Sequence, residues 1–117
     1  MRLRSDIWVS AFLRRCNGEG MAATLRQRGA AEAGAIFILI DRLYGSCALY
    51  GPAPQSEVAD ADAEKGVERR WSRLHKTEWI TPPEAEARLA REMRFDADMW
   101  VVEVEDRQGR ALFDVAG

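Results

Sequence analysis

The residues best suited to bind another molecule are arginines, which make up 15 of the 17 basic residues in this chain of 117. Guanidinium groups bind phosphate and carboxylate oxygens, and an indole ring can stack on a base. If such side chains share one sheet face, they form a surface for nucleic acid or a phosphate ligand. The candidate residues lie on two predicted strands: Arg26, Arg28, Arg69, Arg70, Trp71 and Arg73.

The same arginines have a structural alternative. Their stems can pack over Trp8 and Trp71, and their charges can pair with nearby glutamates. Residues 1–50 carry seven basic and four acidic groups, and residues 52–66 carry one and four. The net charge of −2 therefore comes largely from that short acidic stretch, and the rest of the chain is close to neutral. A nearly neutral body favours the structural alternative.

Carboxylates form a second candidate group, at Asp96, Asp98, Glu103, Glu105 and Asp106, of which the first four are the candidate residues of a metal-dependent hydrolase. On a strand, residues two apart share a face, so a divalent-cation site and a metal-dependent hydrolase are conceivable. No lysine follows on this strand, and alternating charged residues are ordinary on a solvated face of a sheet. The sequence favours the solvated face and predicts no metal ligands.

No other pattern predicts catalysis. His75 has no neighbouring nucleophile or orienting carboxylate, so we expect a surface histidine. The stretch around Gly18 and Gly20 lacks the spacing of a phosphate-binding loop. We therefore expect no catalytic residue, no cofactor and no metal.

The two cysteines and the apolar segments bear on the compartment. Cys16 and Cys47 show neither CxxC nor Cys/His spacing. The beginning of the chain lacks the pattern of a secretory signal, and no apolar run approaches the roughly 20 residues needed to span a bilayer. We expect a cytoplasmic protein with reduced thiols that does not associate with a membrane.

The elements that must position these residues follow from periodicity. Thr81, Pro82 and Glu84 form a capping-box pattern that begins a helix. An apolar run at 35–40 predicts a central strand buried on both faces. We predict helices at 6–17 and 82–94, and strands beginning at 21 and covering 35–40, 47–50, 67–74, 99–105 and 110–115. The fold class is α+β, a small antiparallel sheet of about five to six strands with two helices packed on one face.

Length and composition predict a single domain, residues 1–117. Residues 52–66 are acidic and contain one branched aliphatic residue, Val58, with no aromatic. Such a segment buries too little apolar surface to offset its ordering entropy. We expect a mobile acidic loop there.

Several blocks of residues together resemble a known family: 5–11, 34–37, 49–53, 68–71 and 94–103. The chain is similar over essentially its whole length to an uncharacterised family, domain of unknown function 1491, found mainly in alphaproteobacteria. The resemblance implies a small cytosolic single-domain protein. It implies no reaction, cofactor or site residue.

The sequence therefore leaves the function unknown and favours a non-enzymatic binding or interaction module. The partner is not identified, and a homodimer through an uncovered sheet face or edge is one form of it. The alternative is binding of nucleic acid or a phosphate ligand by the arginines. A divalent-metal-dependent hydrolase is the third and weakest candidate.

Overall fold

The structure is a computed structural model that describes residues 3–54 and 69–116. These residues form two helices and five strands. In chain order they are α1 (Ser5–Gly18), β1 (Ala22–Gln27), β2 (Ile36–Asp41), β3 (Cys47–Pro52), β4 (Trp71–Arg73), α2 (Pro82–Phe95) and β5 (Trp100–Glu105). The predicted α+β class and the two helices are confirmed.

The five strands form one mixed sheet in the order β1-β5-β2-β3-β4. Strands β2 and β5 run parallel, with Ile36 opposite Trp100 and Asp41 opposite Glu105, and the other neighbours are antiparallel. The expectation of a wholly antiparallel sheet was therefore wrong. The two most apolar strands pair at the centre because both of their faces must be removed from water.

The sheet is covered on both faces, by one helix each. On the face that we call the α1 face, Val9 and Phe12 of α1 pack in one cluster with Ile36, Ile38 and Ile40 of β2. On the other, the α2 face, Ala85 and Leu89 of α2 pack with alternate strand residues, including Phe37 and Leu39. The expectation that both helices lie on one face was wrong. A strand that is apolar at every position, as 36–40 is, needs cover on both sides.

The two helices begin in different ways. Thr81 and Glu84 form the predicted capping box, in which Oγ1 of Thr81 accepts from the N–H of Glu84 at 3.3 Å and Oε1 of Glu84 accepts from the N–H of Thr81 at 3.0 Å. Helix α1 has no side-chain cap. Its first residue, Ser5, is buried and donates from Oγ to the carbonyl oxygen of Gly34 at 2.7 Å. This bond ties the start of α1 to the loop before β2.

The end of the described chain is an irregular segment and not the predicted strand 110–115. It makes an isolated bridge between Val115 and Trp71. The N–H of Trp71 donates to the carbonyl oxygen of Asp114 at 2.8 Å, and the N–H of Ala116 donates to that of Trp71 at 2.7 Å. The segment thus covers the outer edge of β4, which limits sheet extension at that side.

The predicted acidic loop, residues 52–66, lies outside the described residues from position 55 onward. The predicted strand 67–74 is described from 69 and is a strand at Trp71–Arg73. Neither described helix is long and apolar enough to cross a membrane.

Candidate functional site

A pocket of about 270 Å³ lies on the α1 face, and we call it the aromatic pocket. Helix α1 forms one wall with Trp8, Ala11, Phe12 and Arg15. Residues 112–114 of the C-terminal segment form the opposite wall, and Leu3, Arg69 and Trp71 complete the lining. Segments from both ends of the chain and from the sheet therefore meet at this site.

The wall from α1 follows from helical spacing. Positions 8, 11, 12 and 15 recur at three- and four-residue intervals and lie on one stripe of a helix. Ile7 falls near the same stripe of the sequence, and an apolar stripe is the face that a helix usually buries. The structure buries a neighbouring stripe instead, at Ser5, Val9, Phe12 and Cys16. Ile7 is half exposed, and the predicted stripe lines the open pocket with Phe12 shared between the two.

Aromatic rings form the inner surface of the pocket. The ring centroids of Trp8 and Trp71 are 4.6 Å apart, and Trp8 also stacks on Phe12 at 4.8 Å. Phe113 reaches across from the C-terminal segment and meets the rings of Phe12 and Trp71 edge-on at 5.9 and 5.5 Å. Aromatic pairs at these distances hold one another in fixed orientations. The pocket therefore has a preformed aromatic floor.

Trp71 is the fixed part of this floor. Its side chain is buried, and its Nε1–H donates to the carbonyl oxygen of Ile36 at 2.9 Å. A ring held this way is not a platform that protrudes from the surface. Trp8, by contrast, is only half buried and leaves part of its indole at the opening.

Three charged residues line the pocket. Arg69 is buried and donates from Nη2 to the carbonyl oxygen of Leu3 and to Oγ of Ser5, both at 3.0 Å. Arg15 is exposed and donates from Nη1 to the carbonyl oxygen of Leu112 at 3.4 Å. Asp114, also exposed, supplies the carboxylate of the lining. The charged residues of the lining are thus two arginines and one aspartate.

The predicted arginine surface is divided between several places. Arg69 and Trp71 belong to the aromatic pocket, whereas Arg26 lies on the α2 side of β1. Both terminal nitrogens of Arg26 donate to Glu86 of α2 at 2.9 Å, and Nη1 also reaches Glu103 at 3.2 Å. These contacts join an edge strand to the helix above it.

The other predicted arginines are held locally. The guanidinium of Arg28 lies 5.2 Å from the ring centroid of Trp100. Arg70 donates to the carbonyl oxygen of Val115 at 3.4 Å, and Arg73 donates to those of His75 and Lys76. The structure thus brings Arg69 and Trp71 into one pocket and leaves Arg26 on the opposite face of the sheet.

The acidic residues group differently from the expectation. Asp41, Glu103 and Glu105 have carboxylate oxygens within 4.8 Å of one another at the carboxyl ends of β2 and β5. Asp96 and Asp98 precede the start of β5, seven and five positions before Glu103, and neither belongs to this group. Burial raises the pKa of Glu103, and Arg26 opposes that rise. The four predicted carboxylates therefore do not form one site.

His75 is half buried and braces the backbone of β3. Its Nε2 accepts from the N–H of Leu49 at 3.0 Å, and its Nδ1 lies 2.7 Å from the carbonyl oxygen of Thr77. A proton on Nδ1 satisfies both contacts. The imidazole therefore acts as a backbone partner within the fold.

The two cysteines are buried on opposite faces of the sheet. Cys16 packs with α1 residues, and Cys47 packs in the α2 cluster. Burial raises the pKa of each thiol to about 11. With the sheet between them, these two thiols cannot form a disulfide in the native fold.

The sequence missed the part of the pocket contributed by residues 112–114, because it assigned them to a strand. A signal for it was present in the pair Leu112 and Phe113, apolar residues near the end of the chain. Periodicity detects faces of helices and strands, and an irregular segment has neither period.

The fold and the site define a small α+β protein with an open mixed sheet, one helix on each face and one aromatic pocket. The family model described as Protein of unknown function (DUF1491) matches residues 3–114. The chain belongs to this family, as the resemblance implied, and the family description assigns it no function.

Solved structures of relatives share the fold over nearly the whole chain. The crystal structure of a DUF1491 family protein from Caulobacter crescentus CB15 is 34% identical, with a TM-score of 0.76 and 100% of both chains covered. The solution structure of protein Atu0922 from A. tumefaciens is 44% identical, with a TM-score of 0.72 over 90% of this chain and 86% of that one. Among curated proteins, none matches the chain.

Proposed function

We propose that this chain is a cytoplasmic, non-catalytic binding module and that the aromatic pocket receives a small, flat apolar molecule. The observation that carries the proposal is the pocket itself, in which the half-buried rings of Trp8 and Phe113 are accessible to a ligand and pack against the buried ring of Trp71. Small-molecule sites are concave, largely apolar and preformed, with a few placed polar groups. The pocket has each of these properties.

Its size supports a small ligand over a macromolecule. Ligand pockets usually measure roughly 300–1,000 Å³, and at about 270 Å³ this one is slightly smaller than that range. One two-ring aromatic molecule has a suitable size. The binding role also agrees with His75, whose ring nitrogens are occupied by backbone groups.

Buried free thiols support the cytoplasmic part of the proposal. Cys16 and Cys47 are both free, and their thiols are shielded from solvent. In a reducing compartment cysteines stay as thiols and serve as small apolar core residues. In exported domains of this size they more often form disulfides.

Nucleic-acid binding by the predicted arginines has less support. The guanidinium of Arg26 is already held by Glu86 and Glu103. Arg69 is buried, and Trp71 lies in the core with its ring unavailable to a base. A nucleic-acid surface needs exposed cations along one face, which this arrangement does not offer.

The test uses 2-naphthamide, a neutral two-ring probe, with the ¹⁵N-labelled protein in solution. We expect saturable chemical-shift changes at the indole N–H of Trp8 and the amide of Phe113. Ala11 lines the pocket and is exposed, so Ala11→Trp should fill the cavity and abolish the changes. Ser10 is the neighbouring exposed residue outside the lining, so Ser10→Trp is the matched control and should bind the probe normally.

Two results would overturn the proposal. One is the absence of saturable shifts in the wild-type protein at millimolar probe. The other is unchanged binding in an Ala11→Trp protein whose remaining amide shifts show the native fold. Ala11→Leu, a smaller block, serves as the second variant if the tryptophan variant does not fold.

A further inference from the structure

The charged residues that line the aromatic pocket indicate which polar group its apolar ligand carries. We infer that the natural ligand class is a small aromatic monocarboxylate, with its ring system against Trp8 and Phe113 and its carboxylate against Arg15. The inference rests on the proposed function, because it names the ligand of that same pocket.

Arg15 is the group placed to receive the anion. It lies in the last turn of α1, on the stripe that lines the pocket, and is exposed to solvent. A guanidinium carries five N–H donors. Within residues 3–54 and 69–116, one hydrogen bond engages this side chain, a 3.4 Å contact with the carbonyl oxygen of Leu112. Arg15 can therefore present a two-donor edge to a carboxylate while it keeps that contact.

Arg69 has a different part in the same pocket. Its buried guanidinium is fixed to Leu3 and Ser5, so it joins the strand side of the pocket to the start of α1. Among the lining residues, Arg15 is therefore the exposed cation and Arg69 the buried one.

Asp114 limits the charge that the ligand can carry. Its exposed carboxylate lies in the lining opposite α1. A dianion, such as a phosphate monoester, would place a second negative charge in a small space beside this carboxylate and be repelled. A carboxylate carries one charge and matches the planar fork of an arginine.

The aromatic part of the inference comes from the rings. Four rings contact one another around the opening and floor, from Trp8 to Phe12, Trp71 and Phe113. Ring-to-ring packing is favourable in offset or edge-on geometry, and a flat ligand can join this cluster at the half-exposed face of Trp8. An aliphatic chain would gain the burial without the ring contacts.

The experiment compares 2-naphthoate with 2-naphthamide, which has the same shape without the charge, by calorimetry and NMR on the full chain. We expect 2-naphthoate to bind the wild-type protein about tenfold more tightly, since a charge-assisted hydrogen bond exceeds a neutral one by about that factor. Added salt should reduce this preference. The dianion 2-naphthyl phosphate should bind more weakly than 2-naphthoate.

Variants of the two neighbouring arginines show which side chain binds the carboxylate. Arg15→Gln should bind both naphthalene probes equally, and Arg15→Lys should keep part of the preference because it keeps the charge. Arg14 precedes Arg15 on α1, is exposed and lies outside the lining, so Arg14→Gln is the matched control and should keep the full preference.

The outcomes separate this inference from the proposed function. Equal affinity of the wild-type protein for the acid and the amide, an undiminished preference in Arg15→Gln, or tightest binding of the phosphate would each overturn the monocarboxylate assignment while leaving the pocket as a ligand site. Failure of both naphthalene probes to bind would overturn the proposed function, and the inference with it.

Discussion

The indole rings of Trp8 and Trp71 meet with their centroids 4.6 Å apart and their planes inclined by 39°. One belongs to the first helix and the other to an edge strand more than sixty positions later. Their contact fixes α1 against the sheet and forms the floor of the aromatic pocket. Stability and binding therefore depend on the same rings.

Replacing Trp71 tests this dependence. Trp71→Phe removes the Nε1–H bond to the carbonyl oxygen of Ile36 and leaves a cavity in the core. We expect the free energy of unfolding in urea to fall by about 2–4 kcal/mol. Trp79→Phe is the control, because Trp79 is half buried and its ring contacts the exposed side of Arg42, and it should cost less than about 1 kcal/mol. Equal losses of unfolding free energy in the two variants would contradict the conclusion that Trp71 fixes α1 against the sheet.

Replacing His75 tests its role as a backbone partner. Leu49 is fully buried, so His75→Ala leaves its N–H without the acceptor seen at 3.0 Å. We expect a loss of about 1–3 kcal/mol and faster hydrogen exchange at the Leu49 amide. Lys76→Ala, at the next and exposed position, should change stability by no more than about 0.5 kcal/mol. An unchanged exchange rate in the His75 variant would show that the bond does not form in solution.

The two glutamates that bind Arg26, Glu86 and Glu103, should contribute to stability with opposite dependence on pH. The pKa of Glu86 is lowered by its hydrogen bonds to Arg26, whereas the pKa of Glu103 is raised by burial. Ionised Glu86 thus stabilises the fold above its ordinary pKa, and this is lost as the pH falls through the lowered value. Ionisation of Glu103 costs stability as the pH rises through the raised value.

The matched variants are therefore Glu86→Gln and Glu103→Gln. At neutral pH we expect the first to lower and the second to raise the free energy of unfolding, each by less than about 1 kcal/mol because both groups are partly exposed. Both differences should shrink as the pH falls, that of Glu103 first and that of Glu86 at lower pH, because the Glu86 carboxyl is protonated only below its lowered pKa. Urea titrations at a series of pH values measure this, and effects of the same sign at neutral pH would contradict it.

The thiols should be unreactive in the native protein. Burial raises the pKa of Cys16 and Cys47 to about 11, and the thiolate is the reactive form. We expect slow reaction with a disulfide reagent at neutral pH and two equivalents after denaturation. Cys16→Ser and Cys47→Ser should each leave one equivalent. A rapid stoichiometric reaction of the folded wild-type protein would be inconsistent with the burial of these groups.

Alanine substitutions at two glycines, Gly29 and Gly18, should change the stability in opposite directions. A Cβ at Gly29 would collide with the backbone of Asp98 and lie 2.7 Å from the ring of Trp100, whereas nothing lies within 4 Å at Gly18, the last residue of α1. We expect Gly29→Ala to lower the free energy of unfolding by about 1–3 kcal/mol. Gly18→Ala should raise it by up to about 1 kcal/mol through helix propensity. Thermal unfolding measures both, and a tolerated alanine at Gly29 would refute the close approach.

Local chemistry let the sequence predict the elements. The capping box at Thr81 and Glu84, the apolar run of β2 and the alternation of β5 each act within a few residues, and the structure has each element near its predicted place. The α+β class followed from these elements and their order, whereas the family resemblance rested on blocks of residues. The aromatic residues of α1 were also found, at the spacing that places them on one stripe.

Tertiary structure decided the arrangement. The parallel pairing of β2 with β5 and the placement of α1 and α2 on opposite faces depend on which apolar surfaces meet, and many pairings satisfy the same periodicity. The pocket needs three distant segments at once, and the sequence does not encode their distance. The sequence alone therefore predicted Arg69 and Trp71 as candidate binding residues, whereas only the fold brought them beside Arg15 and separated them from Arg26.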